Sequence, residues 1–164
     1  MDMTSEPTDR VDEILRRRVI YTNAQANAAT LDDSETFTVC VGGAVISGRL
    51  IPAWQWAAES GSPDTGPDEP ATRAADLLRK EKEEVLTADE DSFLRKNRPN
   101  YLHLGWSHIF VGGLGGVLPG SSGGESVRQR IRLSAVDAWT FHAFTPRADD
   151  DAAELTATFT PDPR

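Results

Sequence analysis

The stretch "TFTVCVGGAVISGRLI", residues 36–51, narrows the choice of fold more than any other part of the chain. Phe37, Val39 and Val41 alternate with Thr36, Thr38 and Cys40, the period of two of a half-buried strand. A second β-rich run, "AVISGRLI", follows Gly42 and Gly43. Both glycines tolerate positive φ, so they are expected to turn a hairpin. Gly48 interrupts the second run, and a glycine inside a strand marks a bend, a bulge or the close approach of another backbone. Pro52 then ends the ladder and suits the first turn of a short helix, "PAWQWAAES".

Other elements flank the hairpin. From Thr8 to about Ala28, Val11, Ile14, Leu15, Val19 and Thr22 recur at helical spacing beside Arg16, Arg17 and Arg18, which predicts an amphipathic helix packed on the domain. Residues 61–70 are rich in Gly, Pro and Asp and read as a loop. A helix is expected from Pro70, and the capping box from Thr87 to Glu90 starts another that carries Phe93 and Leu94 and stops at Asn97 and Pro99. Residues 61–99 thus read as a charged helical insertion or lid between two halves of a sheet.

The sheet resumes at "NYLHLGWSHIFVGG". Strict alternation places Leu102, Leu104, Trp106, His108 and Phe110 on one face, and Tyr101, His103, Ser107, Ile109 and Val111 on the other. A glycine-rich loop over 112–124, the strand "VRQRIRLSAV" and a closing strand "AWTFHAF" follow, and "LTATF" offers an edge strand. The expected fold is α+β. It has a small, strongly bent antiparallel sheet or an Sm/SH3-like barrel of about five strands. An N-terminal helix precedes it, and a helical insertion lies between strands 2 and 3. One domain is expected over residues 1–145, with an acidic, flexible tail over 146–164. The Sm-like comparison is a fold analogy and carries no function of its own.

The chemistry that the residues exclude is broad. Asp and Glu outnumber Lys and Arg by 26 to 17, a net charge of -9, so approach to nucleic acid or an anionic membrane would need a local basic patch. Cys40 is the single cysteine, which excludes an internal disulfide and a Cys-only metal site and suits a reducing cytoplasm. No apolar run approaches the ~18–20 residues of a membrane span, and the polar N-terminus has no signal-peptide pattern, so a cytoplasmic location is expected. The 112–124 glycines lack the Lys-Ser/Thr of a phosphate loop and the helix that a dinucleotide fingerprint opens. His103, His108 and His142 show no metal-ligand spacing, and an odd separation puts the first two on opposite strand faces. Cys40, between two valines, is expected to be buried and inert, and no serine stands in a nucleophile elbow. No enzymatic activity, cofactor or metal is expected.

Two features suit binding instead. Arg128, Arg130 and Arg132 project from one face of a strand, to pair with the chain's own acids on the 76–91 helices or at Asp149–Asp151, or to dock an acidic partner. Trp54 and Trp56 lie two apart on a short helix and so point to different sides, one into the core and the other exposed as an interface anchor.

Three segments in order carry a family resemblance. They are Gly43, Ala44, Val45, Ile46, Ser47 and Gly48; then Leu102, His103 and Leu104; then Val136, Asp137 and Phe141. The chain resembles GvpU-type gas vesicle accessory proteins, which share an "NGAVISG" hairpin leading into a helix, an "F-I-H-L-K" strand and a closing "RGKIAEVDGFF" segment. The resemblance covers residues 35–60 and 100–145. It implies a cytoplasmic, non-enzymatic protein associated with gas vesicles. Its partners would be the vesicle shell or other gas vesicle proteins and further copies of itself, with neither nucleic acid nor membrane. The chain departs from the family pattern in its long charged 61–99 segment, its glycine-rich loop and its acidic tail. No site residue carries over.

Overall fold

Gly42 and Gly43 form the expected turn, with φ of 55° and 84°, between β1 (Thr36–Val41) and β2 (Ala44–Leu50). They belong to a computed structural model that describes residues 11–32, 34–111, 116–118 and 127–142. The hairpin is in register from Thr36 opposite Arg49 to Val41 opposite Ala44. Asp137 locks the turn from outside: its Oδ2 accepts from the Gly42 N–H at 2.9 Å, and its own N–H donates to the Cys40 carbonyl at 2.9 Å.

β3 (Tyr101–Val111) lies antiparallel to β2 on one edge. Its other edge is shared by β4 (Gly116–Leu118) and β5 (Val127–Arg132). A 3-10 turn, Leu133–Ala135, leads to β6 (Ala138–Thr140), which pairs with β1. Among the described residues the sheet is antiparallel throughout, runs β4-β3-β2-β1-β6 with β5 also on β3, and is not closed by strand pairing. Two expectations change here. The run after Arg132 is a turn rather than continued strand, because buried Leu133 starts the link to the far side of the sheet. The glycine-rich stretch contains β4, while the rest of it, the "LTATF" strand and the 146–164 tail lie outside the described residues.

Gly48 is the hinge of β2 and β3. Ser47 opposes His108 and Arg49 opposes Gly105, so Gly48 alone faces both Trp106 and Ser107. This bulge puts Trp106 at φ 47°, the left-handed region that large residues rarely adopt. The extra residue shifts the alternation by one. Leu102, Leu104 and Ile109 therefore pack in one core, and His108 is exposed. The uninterrupted faces expected for this strand are corrected accordingly.

Four α-helices lie among the described residues. Asp12 caps α1 (Glu13–Asn23) by accepting from the Ile14 and Leu15 N–H groups. Leu15 and Val19 of α1 join Phe37, Val39, Leu102 and Leu104 in the main core. Ile20 turns the other way, into a second core with Ala74, Ala75 and Leu78 of α3 (Glu69–Lys80) and with Phe93 and Leu94 of α4 (Ala88–Lys96). The 61–99 segment is thus the expected helical insertion between β2 and β3, and it packs as a layer on α1. Ile14, expected in the apolar stripe, is 66 % exposed, while Arg16 is buried and bonds Glu13 at 3.3 Å. The capping box from Thr87 to Glu90 forms in both directions. Arg17 reaches Glu81 at 2.9 Å, and Arg18 donates to Glu35 at 2.7 Å, so this basic cluster is spent within the chain.

A Cβ on Gly48 would stand 2.7 Å from the Ser107 Cβ and 3.0 Å from both the Ser107 Cα and the Gly105 carbonyl oxygen. Two of those atoms are backbone and cannot rotate away. Gly48→Val is expected to destabilise the fold by about 2–3 kcal/mol, measured as a lower urea midpoint at unchanged m-value. An unchanged midpoint would show that β3 moves aside freely.

Candidate functional site

The residues with chemistry to offer converge on the outer face of β3 and β5, beneath α2 (Ala53–Glu59). Antiparallel pairing sets Tyr101 opposite Arg132 and His103 opposite Arg130, with Leu102 and Ile131 turned to the core. Arg128, Arg130 and Arg132 alternate with Gln129 and Ile131 along β5 and are all exposed. The expected arginine stripe is therefore real.

Among the described residues its acidic partner comes from α2 rather than from the 76–91 helices. Arg128 meets Glu59 of α2 at 3.4 Å. Arg130 lies over the Tyr101 ring, 4.0 Å from its centroid, and 5.8 Å from that of Trp56. Arg132 hydrogen-bonds the Tyr101 hydroxyl and, with its charge, holds that hydroxyl below the usual phenol range. Most acids of the 76–91 segment are engaged elsewhere. Asp76 pairs with Arg79, Glu81 with Arg17, Glu90 with Lys80 and Asp91 with Arg95. Hydrogen bonds from Lys80 and from the Thr87 backbone lower the Glu90 carboxyl to about 2. Asp149–Asp151 lie outside the described residues.

The two tryptophans are both half-buried, not one inside and one out. Trp54 Nε1 donates to the Gln25 carbonyl at 3.1 Å. Trp56 packs against His103, ring centroids 5.2 Å apart. The buried residue of this helix is Gln55, which accepts from the Ala29 N–H at 2.6 Å and donates to its carbonyl at 2.9 Å. That clamp ties α2 to the 24–35 connector and so holds Trp56 over β3. Among the described residues, His103 Nδ1 and Trp56 Nε1 are buried with no hydrogen-bond partner.

The histidines stand apart: His103 is buried under Trp56, His108 is exposed, and His142 follows β6. Among the described residues no group of three or more His, Cys, Asp or Glu could hold a metal ion. Cys40 is half-buried rather than fully buried. A recess of about 400 Å³ beside the stripe is lined by Arg16, Asn100, Tyr101, Arg132 and Ser134, open to solvent rather than enclosed. No helix of the described residues is long and apolar enough to cross a membrane.

The sequence alone does not mark Tyr101, His103 and Glu59 as site residues. The signal lay in two period-two runs, "YLHL" and "RQRIR", whose pairing register decides that they face each other. The surface offers guanidinium groups and covered aromatic rings, a set suited to binding anionic groups. No family model matches the chain, nor does any curated protein or solved structure.

His103 gives this face a pH signature. Burial, and then the nearby Arg130 charge, lower its pKa from the usual 6.5 to about 4. The unfolded chain takes up that proton near pH 6.5 and the folded chain only near pH 4. Stability is therefore fully present above pH 6.5 and falls as the pH drops toward 4, by up to about 3 kcal/mol. His103→Gln is expected to flatten the fall in urea midpoint between pH 7 and pH 4.5. A variant that keeps the full slope would sink the assignment to His103.

Proposed function

We propose that this chain is a non-enzymatic accessory protein of gas vesicles, acting in vesicle assembly or clustering through protein–protein contacts and self-association. The observation that carries the reading joins the resemblance to the fold. Its three segments fall on β2, β3 and the turn into β6, and Asp137 of the third binds the Gly42 N–H of the hairpin that opens the first. Segments far apart in sequence therefore form one structural unit, as a shared architecture requires. The exposed arginine face suits a protein that binds and organises.

A second reading is an Sm/SH3-like module that binds nucleic acid or peptide. Its support is the link between β5 and β6, which lie on opposite sides of the sheet but are joined only by Leu133–Asp137. With a 3-10 turn rising about 2 Å per residue, that link spans roughly 16 Å, less than the roughly 19 Å across a flat sheet five strands wide. A link this short suits a sheet that curls, as in a small barrel. The arginine stripe would be the contact face.

Flotation tests the first reading. The chain is expected to rise with buoyant gas vesicles, and its absence from the floating fraction would overturn the vesicle assignment. Salt-titrated RNA binding tests the second. Tight binding with a steep salt slope, lost in the triple variant Arg128→Ala/Arg130→Ala/Arg132→Ala, would favour the module over the vesicle protein.

A further inference from the structure

β5 has β3 on one side and, among the described residues, no strand on the other. The Leu133 N–H donates to the Asn100 carbonyl at 2.9 Å, which fixes the parity of the ladder. Hydrogen-bonded pairs alternate with non-bonded pairs in antiparallel sheet, so Ile131 and Gln129 also turn their backbone groups to β3, opposite Leu102 and Leu104. The Val127 carbonyl keeps this parity, accepting from Ser107 Oγ at 2.6 Å. Arg128, Arg130 and Arg132 therefore direct their N–H and C=O groups to the open edge. Their side chains share one face, spaced about 6.8 Å apart.

We propose that this edge takes an extended acidic segment of a partner protein, with the pattern acid-x-acid-x-acid. The segment adds antiparallel to β5 as a further strand, each carboxylate opposite an arginine. Strand addition draws affinity from the backbone ladder and specificity from alternate side chains, and opposite charges across a strand pair are mutually stabilising. Here the same three residues supply both parts. Among the described residues three guanidiniums face one carboxylate, Glu59, so there the stripe keeps an excess of positive charge. Single-stranded nucleic acid fits less well. It binds by stacking bases on open aromatic faces, whereas Arg130 already lies over Tyr101 and near Trp56. The net charge of -9 also opposes a long polyanion.

The proposal specifies a face for the protein–protein contacts proposed above. Its test is fluorescence anisotropy with the full chain and three labelled ten-residue peptides. One alternates Glu with Thr, one has the same composition with its Glu in a block, and one is the alternating peptide N-methylated where its N–H groups would meet β5. The alternating peptide is expected to bind at least about tenfold tighter than the other two. Reversing the stripe with Arg128→Glu/Arg130→Glu/Arg132→Glu is expected to abolish binding and to transfer it to an alternating Lys-Thr peptide. Equal binding of the block or N-methylated peptide would overturn the proposal, as would tighter binding of a ten-nucleotide oligouridylate. Should the reversed variant fail to fold by circular dichroism, the N-methylated peptide still decides on the unaltered chain. A chain that floats with vesicles yet ignores the alternating peptide loses the edge proposal alone.

Discussion

At Gly48 and Ser107 the strands β2 and β3 approach so closely that a Cβ on Gly48 would stand 2.7 Å from the Ser107 Cβ, and much of the sheet depends on that approach. Only a residue without a Cβ lets the two backbones meet there. The bulge at Trp106 is the other half of the same feature, since one residue on β2 faces two on β3. Its consequence is a change of face. Leu102 and Leu104 enter the core before the bulge and Ile109 after it, although a regular strand would put them on opposite sides. The bend also lets β5 and β4 pair with successive parts of a single edge of β3.

The helices build on that sheet through α1, which is apolar in two directions. Leu15 and Val19 cover the sheet, and Ile20 covers α3. A sheet with one helix leaves that helix half wet; the 61–99 segment supplies the layer that covers its far side. Its surface acids and bases mostly satisfy one another or reach Arg17, and such exposed pairs contribute little stability individually. The layer is held by Ala74, Ala75 and Leu78 rather than by charge.

The arginine face owes its form to pairing. In β5 the arginines lie two apart, so any strand would present them together, and that part of the site was legible beforehand. What lies beneath them was not. Tyr101 and His103 meet Arg132 and Arg130 because of the β3–β5 register, and Trp56 arrives because Gln55 anchors α2 to the connector at Ala29. The described acid that reaches the stripe is Glu59, which is close to it only in space.

Local chemistry written into the chain was sufficient for the hairpin at Gly42 and Gly43, for the capping box at Thr87 and Glu90, for the helices around Leu15 and Leu78, and for the alternation of β5. Each rests on interactions within a few residues, where period, φ preference and capping act directly. Long-range packing decided the rest. It placed Ile14 in solvent and Arg16 inside, ended β5 at Leu133, and moved the face of β3 by one residue at Trp106. Those outcomes depend on which backbones approach each other, and Gly48 could mark the place of a close approach without revealing that its neighbour is Ser107.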